Sequence, residues 1–489
     1  MRRSMATPSV HVLLLAAVCA AAVACGDDTP APLSATPSSP VLVIGVDGLE
    51  WSVLHPLLAD GRCPNLEALM QRGSYGSLAT FIPTWSPVIW TTIATGKTMK
   101  QHGITNFVDP QGREFTSARR AGRALWNVAD AYGLTSNVFG WWITWPVEPI
   151  AGVMVSATSA AAMIDKNWKP ALMEGLSDQV HPPELEERVM AVARRAGKRE
   201  HVMALARERV FGPLPTEAMD DIERKLVQQT LWSIQSDETY RQVALELLPD
   251  HPADLSMIYF GGPDVAGHRF WRQMDPTGFE WSGSSPEVDE ALSHAITNYY
   301  VWVDEMIGEL LAAVDPATNV IVLSDHGMHA VAQAAPVPTG TSGNHQDGAP
   351  GVIVAAGPSI AQQGGVARFL KSGHVSPLGA VTDVAPTVMG LLGIPPARDM
   401  AGRANKLLLT AEARQAIAAL GMVASHDDGF REPRMVEVPA EKEAEFIQRM
   451  KELGYMQGMD QGPSDSVPVN PETYVPDTGG GTDGAAAGG

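Results

Sequence analysis

Cysteine is nearly absent from this chain of 489 residues, which has only Cys19, Cys25 and Cys63. Three thiols cannot build a disulfide framework, so the fold has to rest on a hydrophobic core. Basic residues are also in short supply, 35 Lys and Arg against 55 Asp and Glu, for a formal net charge of −20. That balance argues against a nucleic-acid-binding or anionic-membrane surface. It leaves an anionic substrate possible, because bound metal ions reverse the local field. No HExxH occurs, no internal repeat is visible, and the apolar run at residues 10–23 is too short to span a bilayer comfortably.

What is present is ordinary for a globular protein: 45% hydrophobic and 18% charged residues. The N-terminus has Arg2 and Arg3, then the apolar run, then Ala22-Val23-Ala24-Cys25. This pattern is that of a secretory signal over residues 1–25, and its end resembles a bacterial lipobox with Cys25 as the lipidated residue. The alternative is a plain signal peptide cleaved near Ala24. The expectation is export to a bacterial cell envelope with a membrane tether through Cys25, residues 26–40 serving as the Pro/Ser/Thr-rich linker. Cys63 is then the one remaining thiol.

Short apolar runs at residues 41–44, 136–140, 255–260, 319–324 and 351–355 read as strands covered on both faces. Helical patterns between several of them predict an α/β fold, a mostly parallel central sheet with helices on both faces. The catalytic domain is expected over residues 41–405. Within it, about 160–250 is charged, amphipathic and poor in strand signals, which predicts a helical insertion acting as a cap or lid. Residues 406–460 read as a helical appendage, and 461–489 as a Pro/Gly/Asp/Ala-rich disordered tail.

The stretch FIPTWSPVIWTTIATGKTMKQHGITNF, residues 81–107, organises the rest. Ser86 stands before Pro87 and an apolar helical run, so the spacing predicts Ser86 as N-cap and Pro87 as the first helical residue. Backbone N–H groups and the positive end of a helix dipole converge at such a position, where an alkoxide or phosphate oxygen is stabilised. An ordinary capping serine is the plainer reading of Ser-Pro alone. Four clusters weigh against it: Asp47 after the first strand, Asp264 and His268 in GGPDVAGH, Asp325 and His326 in SDHGMH, and His345 in GNH. Each has a dull reading as a cap, a polar turn or a surface pair. Together, three aspartates and three histidines, mostly at strand carboxyl ends, suit zinc, with manganese or iron as competitors.

In order and context these motifs resemble the alkaline phosphatase superfamily, in its type I phosphodiesterase/nucleotide pyrophosphatase branch. The matching pieces are GVDG with Asp47, PTWSP with Ser86, TG and HGI at 95–96 and 102–104, Asp264 with His268, SDHGM, His345 before GVIVAAGP, and residues 382–403. The resemblance implies a two-metal hydrolase of small phosphate esters. One ion would be held by Asp264, His268 and His345, the other by Asp47, Asp325 and His326. Ser86 would be the nucleophile, adjoining the metals, where many members have threonine. Asn106, one residue nearer to HGI than the family spacing, would help hold a non-bridging phosphate oxygen. The alternatives are a phosphomonoesterase of the same superfamily and a catalytically degenerate envelope-binding protein.

Two decoys fall away. Residues 94–98, ATGKT, mimic the end of a Walker A loop, but Thr91 occupies the place of the first required glycine. A sulfatase would need a modifiable residue in a C/S-x-P-x-R setting, whereas Pro87 directly follows Ser86 and no arginine stands at the required place. The cluster Trp141, Trp142 and Trp145 has two readings, a stacking surface for an aromatic group or core packing.

Overall fold

The run at the first predicted strand forms β1 (Val41–Val46), and all six of its residues are buried. The computed structural model describes residues 33–109, 113–158, 176–279, 285–331 and 341–430. The signal segment with Cys25, residues 26–32 of the linker, the tail 461–489 and most of the C-terminal appendage lie outside them. β1 is continuously apolar because both of its faces are covered. Leu42, Ile44 and Val46 enter one core cluster, while Val41 and Val43 enter the other. Alternate side chains point to opposite faces of a strand, so a two-sided sheet leaves no polar positions.

Nine strands form the sheet. β2 is Gly73–Ala79, β3 Ser136–Phe139, β4 Gly152–Val155, β5 Val180–His181, β6 Leu255–Phe260 and β7 Asn319–Leu323. β8 (His329–Ala330) and β9 (Gly343–Asn344) make a separate two-stranded ribbon, followed by β10 (Gly351–Ala356) and β11 (Pro377–Ala380). The order across the sheet is β11-β2-β10-β7-β1-β6-β3-β4-β5. β1 lies parallel to both β6 and β7, and β3 is parallel to β6 and β4. β10 runs antiparallel to β7 and to β2, and β5 antiparallel to β4. The predicted α/β fold with a mostly parallel sheet is what forms.

β2 reads GSYGSLA and carries little strand propensity. Its glycines are there for close approach. A Cβ on Gly73 would stand 1.9 Å from the Ala355 carbonyl oxygen, and one on Gly76 would stand 2.4 Å from Leu378 Cβ.

Helices cover both faces. The Ser86–Thr95 helix is buried along its whole length and packs Val88, Ile89, Trp90 and Ile93 into one cluster. On the other face, the Ala295–Ala313 helix contributes Tyr299, Val303, Met306, Ile307 and Leu310, the spacing of one helical stripe. The predicted helical insertion contains the helices Glu186–Ala196, Arg199–Leu205 and Asp221–Leu247. Among the described residues, no helix is long and apolar enough to cross a membrane.

Candidate active site

The direction of the strands brings the site together. Asp47 directly follows β1, Asp264 lies four residues beyond β6, and Asp325 and His326 lie just beyond β7, all at the carboxyl edge of parallel neighbours. His345 precedes its strand instead. It reaches the same edge because β10 runs against β7, with Ile353 paired to Leu323 and Ala356 to Val320.

The first expected triplet is assembled. Ligand atoms of Asp264, His268 and His345 all lie within 4.8 Å of one another. His268 Nε2 is 3.3 Å and His345 Nε2 3.6 Å from Asp264 Oδ1, and the two Nε2 atoms are 3.0 Å apart. The second triplet differs in one member. The atoms that meet the same spacing belong to Asp47, Asp264 and His326, so Asp264 is shared between both groups. Asp325 stands beside them, its Oδ2 at 3.3 Å from His326 Nε2, while Asp47 Oδ1 is 3.2 Å from the same nitrogen.

Each histidine presents the same nitrogen. His268 Nδ1 donates to the Gly343 carbonyl at 2.9 Å, and His326 Nδ1 to the Gly327 carbonyl at 2.9 Å. Thr84 Oγ1 donates to the His345 carbonyl at 2.9 Å and accepts from His345 Nδ1 at 3.0 Å. A ring nitrogen facing a carbonyl must carry the proton, so a neutral ring keeps its lone pair on Nε2. In their neutral form all three rings aim that lone pair at the cluster, in the arrangement that outer partners impose on metal-binding histidines.

Electrostatics point the same way. Burial would lower His326, but Asp325, Asp47 and Asp264 outweigh it and push the ring up to about 10. Burial, then Asp47, drives Asp325 well above the usual carboxylate range. Burial, then His326 and His268, drives His345 well below its ordinary value. Burial acts to raise Asp47 as well, yet the neighbouring His326, with hydrogen bonds from Tyr259 and Trp90, brings it below its ordinary value. Asp47 Oδ1, both oxygens of Asp325 and His326 Nε2 are buried and lack a hydrogen-bond partner. Such a set is costly unless cations join it. The residues therefore fit divalent metal ions.

Supporting residues that the sequence did not reveal hold this centre in place. Asp47 Oδ2 accepts from Trp90 Nε1 at 3.0 Å and Tyr259 Oη at 2.7 Å, leaving Oδ1 toward His326. Gly45 makes room for Trp90, since a Cβ there would stand 2.6 Å from its ring. Gly48, at φ 70°, passes 2.8 Å from the Asp264 backbone measured from a built Cβ. The GVDG turn is thus glycine-flanked for steric reasons. Asp237, from the Asp221–Leu247 helix, accepts from Gly261 N, Gly262 N and Tyr299 Oη, each at 2.9 Å. It thereby ties down the start of the Gly262–Met274 helix that carries Asp264 and His268.

Ser86 lies between two of these contacts along the chain: Thr84 holds His345, and Trp90 holds Asp47. Trp85 occupies the N-cap, so Ser86 is the first helical residue and Pro87 the second, one position later than the spacing predicts. Its hydroxyl is therefore not at the capping position. Asn106 Oδ1 accepts from Phe107 N at 2.7 Å, which leaves its amide nitrogen as the donor. The Walker-like stretch is a helix end: Gly96 caps at φ 69°, and Lys97 pairs with Asp399 and Asp427. Cys63 is buried, and burial followed by Asp304 pushes its thiol up to about 12.

The tryptophan cluster divides between its two readings. Trp141 is core, fully buried and donating to the Trp90 carbonyl at 3.2 Å. Trp142 and Trp145 line a cavity beside Pro87.

No curated protein matches the chain. Among solved structures, it is similar to a 2-O GAG sulfatase, at 14% identity and a TM-score of 0.42, over 81% of this chain and 76% of that one. A protein of Bacteroides thetaiotaomicron assigned as a sulfatase is similar at 14% identity and a TM-score of 0.42, over 78% and 75% of the two chains. The family described as type I phosphodiesterase / nucleotide pyrophosphatase matches residues 41–356. The chain belongs to that family, and with it to the hydrolases of the alkaline phosphatase superfamily.

Proposed function

We propose that the protein is a two-metal phosphoric ester hydrolase in which Ser86 is the nucleophile, and that phosphodiesters of small molecules are its substrates. The observation that carries this reading is the common orientation of His268, His326 and His345, each with Nδ1 engaged and Nε2 turned toward Asp47, Asp264 and Asp325. Asp264, His268 and His345 would hold one ion; Asp47 and His326 would hold the other, with Asp264 or Asp325 completing it. Bound there, zinc or a similar ion would supply Lewis acidity, lowering the pKa of a neighbouring hydroxyl and offsetting charge on phosphate oxygens.

The chain's own residues do the rest. Thr84 and Trp90 fix the segment bearing Ser86 relative to His345 and Asp47, so the hydroxyl is presented without conformational search. The first turn of its helix directs backbone N–H groups and a partial positive charge at the same region. Asn106 offers its amide nitrogen to a non-bridging phosphate oxygen. Export and a lipid anchor at Cys25 complete the proposal; Cys25→Ser would then move the protein out of the membrane fraction.

Ser86→Ala should lower turnover of bis(4-nitrophenyl) phosphate by roughly three orders of magnitude or more. Its zinc content, measured by atomic absorption, should stay that of the wild type. Full activity in Ser86→Ala would end the nucleophile assignment. Parallel rates on 4-nitrophenyl phosphate and 4-nitrophenyl sulfate decide between the diester, monoester and sulfate readings.

A further inference from the structure

The turns that follow β1 and β7 supply Asp47, Asp325 and His326, and they also carry Glu50 and Ser324. β1 and β7 are paired, and paired strands lie about 4.8 Å apart, so the two turns leave the sheet side by side. Beyond the last ladder bond their backbone N–H groups have no strand partner, and once buried they need another acceptor. Each turn provides the acceptor that the other lacks. Ser324 Oγ accepts from Leu49 N at 2.9 Å, and Glu50 Oε2 accepts from Met328 N at 3.3 Å.

Further contacts fix this exchange. Ser324 Oγ donates to the His326 carbonyl at 2.7 Å, and Ser324, Leu49 and Met328 are all buried. Tyr300 Oη, from the Ala295–Ala313 helix, accepts from Glu50 N at 2.9 Å and donates to the Gly48 carbonyl at 3.0 Å. A Cβ on Gly327 would stand 2.3 Å from Glu50 Oε2, so the glycine of SDHGM leaves open the place that Glu50 enters. The result is a reciprocal clasp, inside which Asp47 Oδ1 and His326 Nε2 stand 3.2 Å apart. The other group is held by different means: Gly343 fixes His268, Thr84 fixes His345, and Asp237 fixes the helix start before Asp264.

We propose that Ser324 and Glu50 are positioning residues for the ion held by Asp47 and His326. They set its affinity without setting that of the ion at Asp264, His268 and His345. This rests on the two-metal reading. Zinc holds carboxylate and imidazole donors at about 2.0–2.2 Å, so turns free to drift apart would offer the same donors at a worse spacing.

Competition of the full-length protein with a chromophoric chelator measures the affinity of each zinc ion, and Asp47→Asn identifies which of the two belongs to Asp47. Ser324→Ala removes the acceptor of Leu49 N and the donor to the His326 carbonyl together. Glu50 also caps the Trp51–Ala59 helix, its Oε1 accepting from Ser52 N at 3.0 Å. Glu50→Ser keeps a capping oxygen but is too short to reach Met328, which separates the clasp from the cap. Each variant should weaken the Asp47-linked ion roughly 10–100-fold and leave the other at wild-type affinity. If Ser324→Ala fails to fold, Glu50→Ser carries the test alone. Unchanged affinity for both ions in a folded variant would overturn the proposal. Equal weakening of both, the signature of a merely structural role, would do the same. A wild type that binds fewer than two zinc ions would instead end the two-metal reading, and this proposal with it.

Discussion

Replacing Asp237 by alanine should damage the candidate metal centre from a residue that is not one of its expected ligands. Three buried donors converge on this carboxylate: Gly261 N, Gly262 N and Tyr299 Oη, each at 2.9 Å. Leaving a buried donor unsatisfied costs about 1–3 kcal/mol, so the loss should come to about 3–6 kcal/mol after local relaxation. Gly262 cannot compensate by growing a side chain, since a Cβ there would meet the Tyr299 ring at 1.9 Å. The helix start should loosen, and zinc affinity should fall with it. Urea unfolding and a chromophoric-chelator competition measure the two effects.

The same residue gives a pH dependence. Burial, outweighing its hydrogen bonds, raises Asp237 from the ordinary 3.8 to about 7. The folded state thus holds this proton more tightly than the unfolded chain. Its contribution to stability is full below the unfolded value near 3.8 and is lost as pH rises through about 7. In chelator, the wild type should therefore lose stability across that window relative to Asp237→Asn, which has no such proton. Asp237→Ala with a wild-type urea midpoint and zinc affinity, or equal pH profiles for wild type and Asp237→Asn, would refute the reasoning.

Trp90→Phe and Tyr259→Phe each remove one donor to Asp47 Oδ2 while keeping a ring. Each should weaken zinc binding about 10–100-fold, the usual effect of losing an outer partner, and a dissociation constant equal to the wild type's would contradict it. Asp325 is buried with neither oxygen hydrogen-bonded, and its pKa is driven up by burial and then by Asp47. In chelator, Asp325→Asn should therefore melt at a higher temperature than the wild type, whereas saturating zinc should reverse the order. The same ranking in both buffers, by differential scanning calorimetry, would show that no cation is needed to balance these acids.

The central strands were legible because β1, β6 and β7 are covered on both faces and so read as unbroken apolar runs. Most of the candidate cluster was legible because acids and histidines stand just past where those runs stop. β2 was not, since its glycines answer to the crowding of Ala355 and Leu378, which no local pattern encodes. Neither was the reversal of β10, because an apolar run carries no direction. Asp237 hid in a helix rich in Glu, Gln and Arg, where one more acid resembles a solvated face. Trp90 hid in the opposite way, as one more apolar residue in a buried helix, although its indole N–H holds Asp47. The sharing of Asp264 between two groups depends on distances in space, and spacing along the chain could not supply it.

The six candidate ligands arise from four stretches that begin as far apart as Asp47 and His345. None of these stretches can offer more than two donors before the middle of the sheet has closed around β1. A cation is thus of little use to an early folding species: the loops it would bridge are long, and their closure has to be supplied by strand pairing first. Ion capture would come last and act as a latch on the finished molecule, slowing unfolding more than it hastens folding.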